Sequence, residues 1–343
     1  MPNHTESTAV PRRHAFPRSP ALLLWVSISA LLHPWPALAD ADADLVRAAK
    51  SPYDLARFVD THPDFDPAPL WKALGIDRYM VDSMPFPASG CSEELIAVLD
   101  PPQAIVLLRG GIGHWQEVYL RFRRPAGLDQ PGPWTFAGYF LNTLRPIDSK
   151  HELIRFGSKP YLLVTSEQQQ AGVGWRAVDQ TWIDLTAARL QPVFELTVED
   201  YDSVPLSIGL RSTGYVVSLD ATPVERITVA YDVRFEFPFP ATGDLGSRSG
   251  QAVYTRRGDR FVFDAALSKT PKAEIDKLYR FDTEQRPSNE DRLRYTLPEL
   301  KKIAAGADAG HKAWLKEFLA ECGNTPEKRE IQALLSSRSP KGR

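Results

Sequence analysis

The sequence predicts an α+β chain: an antiparallel β-rich core, in meander sheets or a sandwich- or barrel-like arrangement, with short N-terminal helices and a C-terminal helical segment. Three observations lead there. Apolar residues recur every three or four positions before about residue 75 and again after 270, and they alternate every second position in between. No link inside the strand-rich stretch has the length of the crossover helix that parallel strands require.

The chain opens with an export signal. Arg12, Arg13 and Arg18 precede the apolar run Ala21 to Leu32, and Ala37-Leu38-Ala39 supplies the small-x-small pattern that a signal peptidase needs, so cleavage is expected before Asp40. The apolar run ends at His33, Pro34 and Pro36 and is too short to cross a bilayer. Arg12-Arg13 does not make a twin-arginine signal, because the phenylalanine falls at 16, one place too late. The mature chain is therefore expected in the periplasm or outside the cell, with no membrane span. Removing residues 1–39 takes the formal net charge from −2 to −4. So small a charge, with both signs interspersed, exerts no long-range pull on nucleic acid or anionic lipid, and no nucleic-acid partner is expected.

Export also sets the reading of the two cysteines. In an oxidising compartment a lone pair reads as a disulfide, Cys91 to Cys322, closing a loop worth up to about 5 kcal/mol of chain entropy.

The elements follow in order. Leu45, Val46, Ala49, Leu55, Phe58, Val59, Leu70 and Leu74 recur at helical spacing, and Pro52, Pro63, Pro67 and Pro69 cut the stretch into two or three short helices. Residues 79–90, with Pro85, Pro87 and Gly90, read as a connector, so 40–90 forms a helical cap and connector. Strands are expected at 95–99, 104–109, 116–123 and 134–141, giving a first meander over 91–145. A second antiparallel series over 146–268 has strands near 152–156, 161–165, 181–185, 193–198, 206–219, 226–237, 252–256 and 261–264. The clearest is Ile227, Val229, Tyr231, Val233, Phe235 and Phe237 alternating with Thr228, Asp232, Arg234 and Glu236, which buries one face and wets the other. Helices return over 269–335. Pro271 follows Thr270 as cap, stretches 297–305 and 311–320 carry the apolar spacing, and Thr325-Pro326-Glu327 opens the last. The polar stretch Thr283 to Arg294 reads as an exposed linker, Arg121, Arg123 and Arg124 as a solvated face, and 336–343 as a disordered tail.

The sequence names no chemistry. It holds no Gly-x-Ser-x-Gly, Ser-x-x-Lys, His-Glu-x-x-His, Walker-type or Cys-x-x-Cys signature, and only His62, His114, His151 and His311 remain after cleavage. Asp60, Asp64 and Asp66 alternate as hard-cation ligands do, but Asp beside Pro is also how helices are capped. No metal and no cofactor is expected. His114 and Trp115 close a glycine-rich turn, Gly110 to Gly113, that could admit an anion. Trp175, Arg176, Asp179, Trp182 and Asp184 combine aromatic faces with carboxylates, a combination suited to sugar or peptide recognition. Two function classes follow: a non-catalytic binding or interaction protein with an unknown envelope or extracellular ligand or protein partner, or a hydrolase of an envelope or extracellular polymer using Asp179 and Asp184 as acid and base.

Overall fold

A computed structural model describes residues 37–62, 65–66, 68–76, 94–100, 103–112, 116–125, 132–142, 148–170, 175–202, 207–238, 243–278 and 287–337. Among the described residues three short helices come first: α1 (Ala37–Ala48), α2 (Pro52–Thr61) and α3 (Ala68–Leu74). Four strands then form an antiparallel meander in the order β1 (Glu94–Asp100), β2 (Gln103–Ile112), β3 (Gln116–Arg124) and β4 (Thr135–Asn142). Eight more form a second antiparallel sheet, also in chain order. They are β5 (Asp148–Phe156), β6 (Lys159–Gln170), β7 (Trp175–Asp184), β8 (Pro192–Asp202), β9 (Gly209–Asp220), β10 (Arg226–Glu236), β11 (Asp244–Arg257) and β12 (Arg260–Phe263). Five helices close the chain: α4 (Lys272–Leu278), α5 (Asn289–Tyr295), α6 (Leu297–Ala305), α7 (Ala309–Glu321) and α8 (Pro326–Ser336). The predicted α+β class and both meanders are present. Among the described residues no helix is long and apolar enough to cross a membrane.

Three apolar clusters show how the layers stack from Ala41 onward. The first packs Leu45, Leu55, Val59 and Trp71 of the opening helices on one face of the small sheet, through Leu108, Val118, Leu120 and Phe122. The opposite face of that sheet, with Ile105, Leu107, Tyr119 and Phe140, packs on Leu162, Val164, Ile183 and Leu185 of the large sheet. The large sheet then turns its other face, through Tyr161, Leu163 and Trp182, toward β8 to β12 and the closing helices, including Leu293, Leu300, Leu315 and Phe318. Period-two alternation explains the split: in β6 the odd residues face one core and the even residues the other.

The large sheet is bent at one place. β8 pairs with β7 along nearly all its length, but with β9 only over Glu199–Asp202 against Leu210–Thr213. Register shifts between Val178 and Asp179 and between Trp182 and Ile183 of β7 each fall opposite an extra residue of β8, the usual device for bending a strand. The halves on either side of the bend close over a core of rings, in which Phe261 stacks on Phe156 at 6.1 Å between centroids and meets Phe194 edge-on at 6.0 Å. Among the described residues side chains fill this interior.

Thr325 caps α8 as expected, and Ser51 and Asp308 cap α2 and α7 in the same way. Ser51, Asp308 and Thr325 accept from the amides of Asp54, His311 and Lys328. Thr270 does not cap α4, because its hydroxyl accepts instead from the amide of Gln251 at 2.9 Å and so ties the helix approach to β11. Asp66 accepts from the amide of Ala68 at 2.9 Å and thus starts α3, while His62 ends α2 stacked on Phe58 at 4.3 Å. Asp64 and the connector 79–90 lie outside the described residues.

Two expectations are overturned. The supposed linker Thr283 to Arg294 contains α5, capped by Ser288, with Leu293 and Arg292 buried. Its polar composition misled because Arg292 is polar yet serves the interior: it donates to the carbonyls of Ile208 and Pro287. The cationic run is not a solvated face either. Arg121 is fully buried between the sheets and donates to the carbonyls of Ala137, Leu185, Ala187 and Ala188, while Arg123 joins it on Leu185 and Ala187. Arg124 lies over the Trp134 ring at 4.6 Å. Burial, then the neighbouring Arg123, pushes the Arg121 pKa down to about 10, which leaves it charged at neutral pH.

Arg121 thereby satisfies four carbonyls, three of them in the loop that follows β7. Replacing Arg121 by Met should cost about 3 kcal/mol or more, since buried carbonyls lose their donors. The half-exposed Arg176, changed the same way, should cost under about 1 kcal/mol. Urea unfolding of the two variants checks this, and equal costs would contradict it.

Candidate functional site

The residues singled out on β7 are separated by the strand itself. β7 pairs with β6 without a shift, so its side chains alternate strictly between faces. Trp182 is 1% exposed, sits in the aromatic core against Tyr161 and Phe194, and donates its indole N–H to Gln180 at 2.9 Å. Asp184 shares that face. Its carboxylate accepts from the amide and hydroxyl of Thr186 at 2.9 and 2.6 Å and pairs with Arg256 at 3.3 Å. Asp179 is five residues earlier and so lies on the opposite face, where it accepts from Gln168 at 3.0 Å and Thr197 at 2.9 Å. These two acids do not oppose each other across a groove. Arg176 is held between Glu167 at 2.8 Å and Glu199 at 3.1 Å, and its hydrogen bond keeps the Glu167 carboxyl below the ordinary range. The side chain of Trp175, and His114 and Trp115 altogether, lie outside the described residues. Gly110 and Gly111, expected in a loop, belong to β2.

What the fold does assemble is at the end of the large sheet where the turns 157–158, 185–191, 221–225 and 258–259 gather. The β5–β6 turn presses against the β9–β10 turn: Gly157 has φ 61°, and a Cβ there would stand 3.3 Å from that of Ala221. The Lys159 ammonium pairs with Glu225 at 3.1 Å, and the Tyr161 hydroxyl donates to the same carboxylate at 3.4 Å. Opposite them, Arg256 donates to Asp184 and to the Gly258 carbonyl, and its guanidinium lies 5.4 Å from the centroid of Phe261. Burial, then the charges of Asp184 and Glu225, raises the Tyr161 pKa well above the usual phenol range. This polar cluster joins β6 and β7 to β10 and β11, strands that are not neighbours in the sheet. Tyr161 and Asp184 are 0% and 3% exposed, so the inner part of the cluster fastens the halves together, while Lys159 at its edge is partly exposed.

Beside it lies a recess of about 230 Å³ between β8 and β12, lined by Pro192, Val193, Phe194, Glu195, Tyr254, Arg260 and Phe261. Its inner wall is aromatic, with Phe194 and Tyr254 rings 4.9 Å apart, and Tyr254 is anchored by a 2.8 Å hydrogen bond to Tyr231. Glu195 and Arg260 are exposed and place opposite charges on the rim. Gln191 and Asp259 are hydrogen bonded and tie the β7–β8 loop to the β11–β12 turn alongside. The volume falls just under the range of about 300–1,000 Å³ for drug-sized ligands, so the recess suits one small group.

Sequence reasoning missed this site. Tyr254 and Phe261 stand in strands that the alternation identified, but their meeting with residues 192–195 depends on the bend at β8, for which no local signal exists. The cysteine pairing meets a related limit. Cys322 is buried as a free thiol whose Sγ donates to the Phe318 carbonyl at 3.4 Å, with burial pushing its pKa up to about 11, and Cys91 lies outside the described residues. Comparison with protein-family models, curated proteins and solved structures finds no match to this chain.

Proposed function

We propose that this chain is an exported, non-catalytic binding protein of the cell envelope or extracellular space, and that it takes its ligand in the recess between β8 and β12. The observation that carries the reading is the recess itself: a hollow between β8 and β12 backed by the buried rings of Phe194, Tyr254 and Phe261, with one charge of each sign at the rim. The buried rings give the recess a fixed inner wall, and the exposed Glu195 and Arg260 supply orientation. In the neighbouring titratable cluster Tyr161 is paired with Glu225 and Asp184 with Arg256. The hydrolase alternative draws on Asp179 and Asp184, which point to opposite faces and are each satisfied by neighbours.

Export rests on the basic and apolar pattern of residues 12–32 and on Ala37-Leu38-Ala39. Cleavage there leaves α1 to start at Asp40, and an oxidising compartment brings with it the bridge of Cys91 to Cys322. Intact-mass measurement on the protein isolated from an envelope fraction tests both. The expected mass is that of a chain starting at Asp40 and lighter by two hydrogens than its reduced form. An uncleaved chain would overturn the export reading, and two free thiols in the cleaved chain would overturn the bridge.

Binding is tested with indole as the probe, by titrating the mature protein and following backbone amide resonances. Saturable shifts centred on 192–195 and 260–261 are expected. Shifts that are absent, or that spread without saturation, would contradict a ligand site in the recess.

A further inference from the structure

The recess holds two charges that the protein itself does not use. Glu195 of β8 and Arg260 of β12 line it, one from each wall, and both are exposed. Among the described residues neither side chain has a hydrogen bond or an ion pair. By contrast, Lys159 pairs with Glu225 at 3.1 Å, Arg256 with Asp184 at 3.3 Å, and Arg176 with Glu167 at 2.8 Å and Glu199 at 3.1 Å. The two walls are also held in place against each other. Gln191 and Asp259, the residues before Pro192 and Arg260, are hydrogen bonded, and behind them the Phe194 ring meets Tyr254 at 4.9 Å and Phe261 at 6.0 Å between centroids. An acid and a base on a fixed frame that do not neutralise each other set up a local dipole, which orients a ligand bearing the opposite pair of charges. Most of the surface that the recess offers is polar, because Val193, Phe194, Tyr254 and Phe261 are each buried.

Resting on the recess being the ligand site, we propose that its ligand is a small zwitterion, an ammonium and a carboxylate joined by a short carbon skeleton, as in a free amino acid. The Glu195 carboxylate accepts from the ammonium, and the Arg260 guanidinium, a planar fork of donors, holds the carboxylate. The size agrees, since about 230 Å³ admits one small molecule. So does the balance of charge and apolar surface. A singly charged ligand leaves one of the two rim charges unanswered. An uncharged apolar ligand answers neither and meets little apolar surface, because the rings at the back are packed on one another and on the core.

The test titrates the whole mature protein, followed by backbone amide resonances, with glycine, L-alanine and 4-aminobutanoate, which set the two charges at different separations. Butanoate and butylammonium, which carry one charge each, are the controls. Saturable shifts at 192–195 and 260–261 are expected for at least one zwitterion, with binding about three-fold or more tighter than for either control, the scale of one exposed ion pair. Two substitutions of exposed side chains assign the ends. Glu195→Gln should bring the zwitterion down to the affinity of butanoate while leaving butanoate unweakened, and Arg260→Gln should do the same toward butylammonium. Controls that bind as tightly as every zwitterion, or substitutions that leave zwitterion binding unchanged, would overturn the inference. If indole saturates the recess and no zwitterion does, the zwitterion inference falls and the binding site stands, and if neither binds, both fall.

Discussion

Burial of Tyr161–Val164 of β6 and Thr181–Asp184 of β7 on both faces is the constraint from which the rest of the structure follows. An antiparallel strand ordinarily buries one face and wets the other. Here Leu162, Val164 and Ile183 face the small sheet, while Tyr161, Leu163 and Trp182 face the second half of the large one. A pair of strands buried in this way forces a layer onto each side. The small sheet with its helices α1 to α3 supplies one, and the bend at β8, which folds β9 to β12 back over the rings, supplies the other.

Polar groups on these strands must then find partners within the protein, because unpaired polar groups in a low-dielectric interior are costly. Arg121 answers for the carbonyls of the loop after β7. Glu117, buried between the sheets, accepts from Arg109, Asn142 and Ser149, and Asn142 passes the network to Ser166 of β6. The same logic ties Asp184 to Arg256 and Tyr161 to Glu225. A dense set of acids, arginines and aromatic residues on β7 thus reflects the needs of a doubly buried strand. The proposed ligand site lies instead at the margin of the large sheet, in the recess between β8 and β12.

The fold class, the two meanders and most element boundaries were legible because they depend on local periodicity. The alternation in 227–237 and the Thr325-Pro326-Glu327 start are short-range facts, and β10 and α8 stand where these put them. Residues that act across layers were not legible. Arg121 and Arg292 look like surface cations in a local window, and only the carbonyls that come to meet them from 64 and 84 residues away make them interior groups. Trp182 shows the reverse: singled out for recognition, it is a core ring, because its alternating strand turns it into the interior. The recess depends on Phe194 meeting Tyr254 and Phe261 after the sheet bends, a coincidence of distant segments that no spacing encodes.

Native-state hydrogen exchange tests the central constraint most directly. Strands buried on both faces open only with the whole fold, so the slowest-exchanging amides should be those of Tyr161–Val164 and Thr181–Ile183, with protection equal to global stability. Slowest exchange in β9 to β11, with β6 and β7 opening earlier, would contradict the account and place the organising core in the second half of the large sheet.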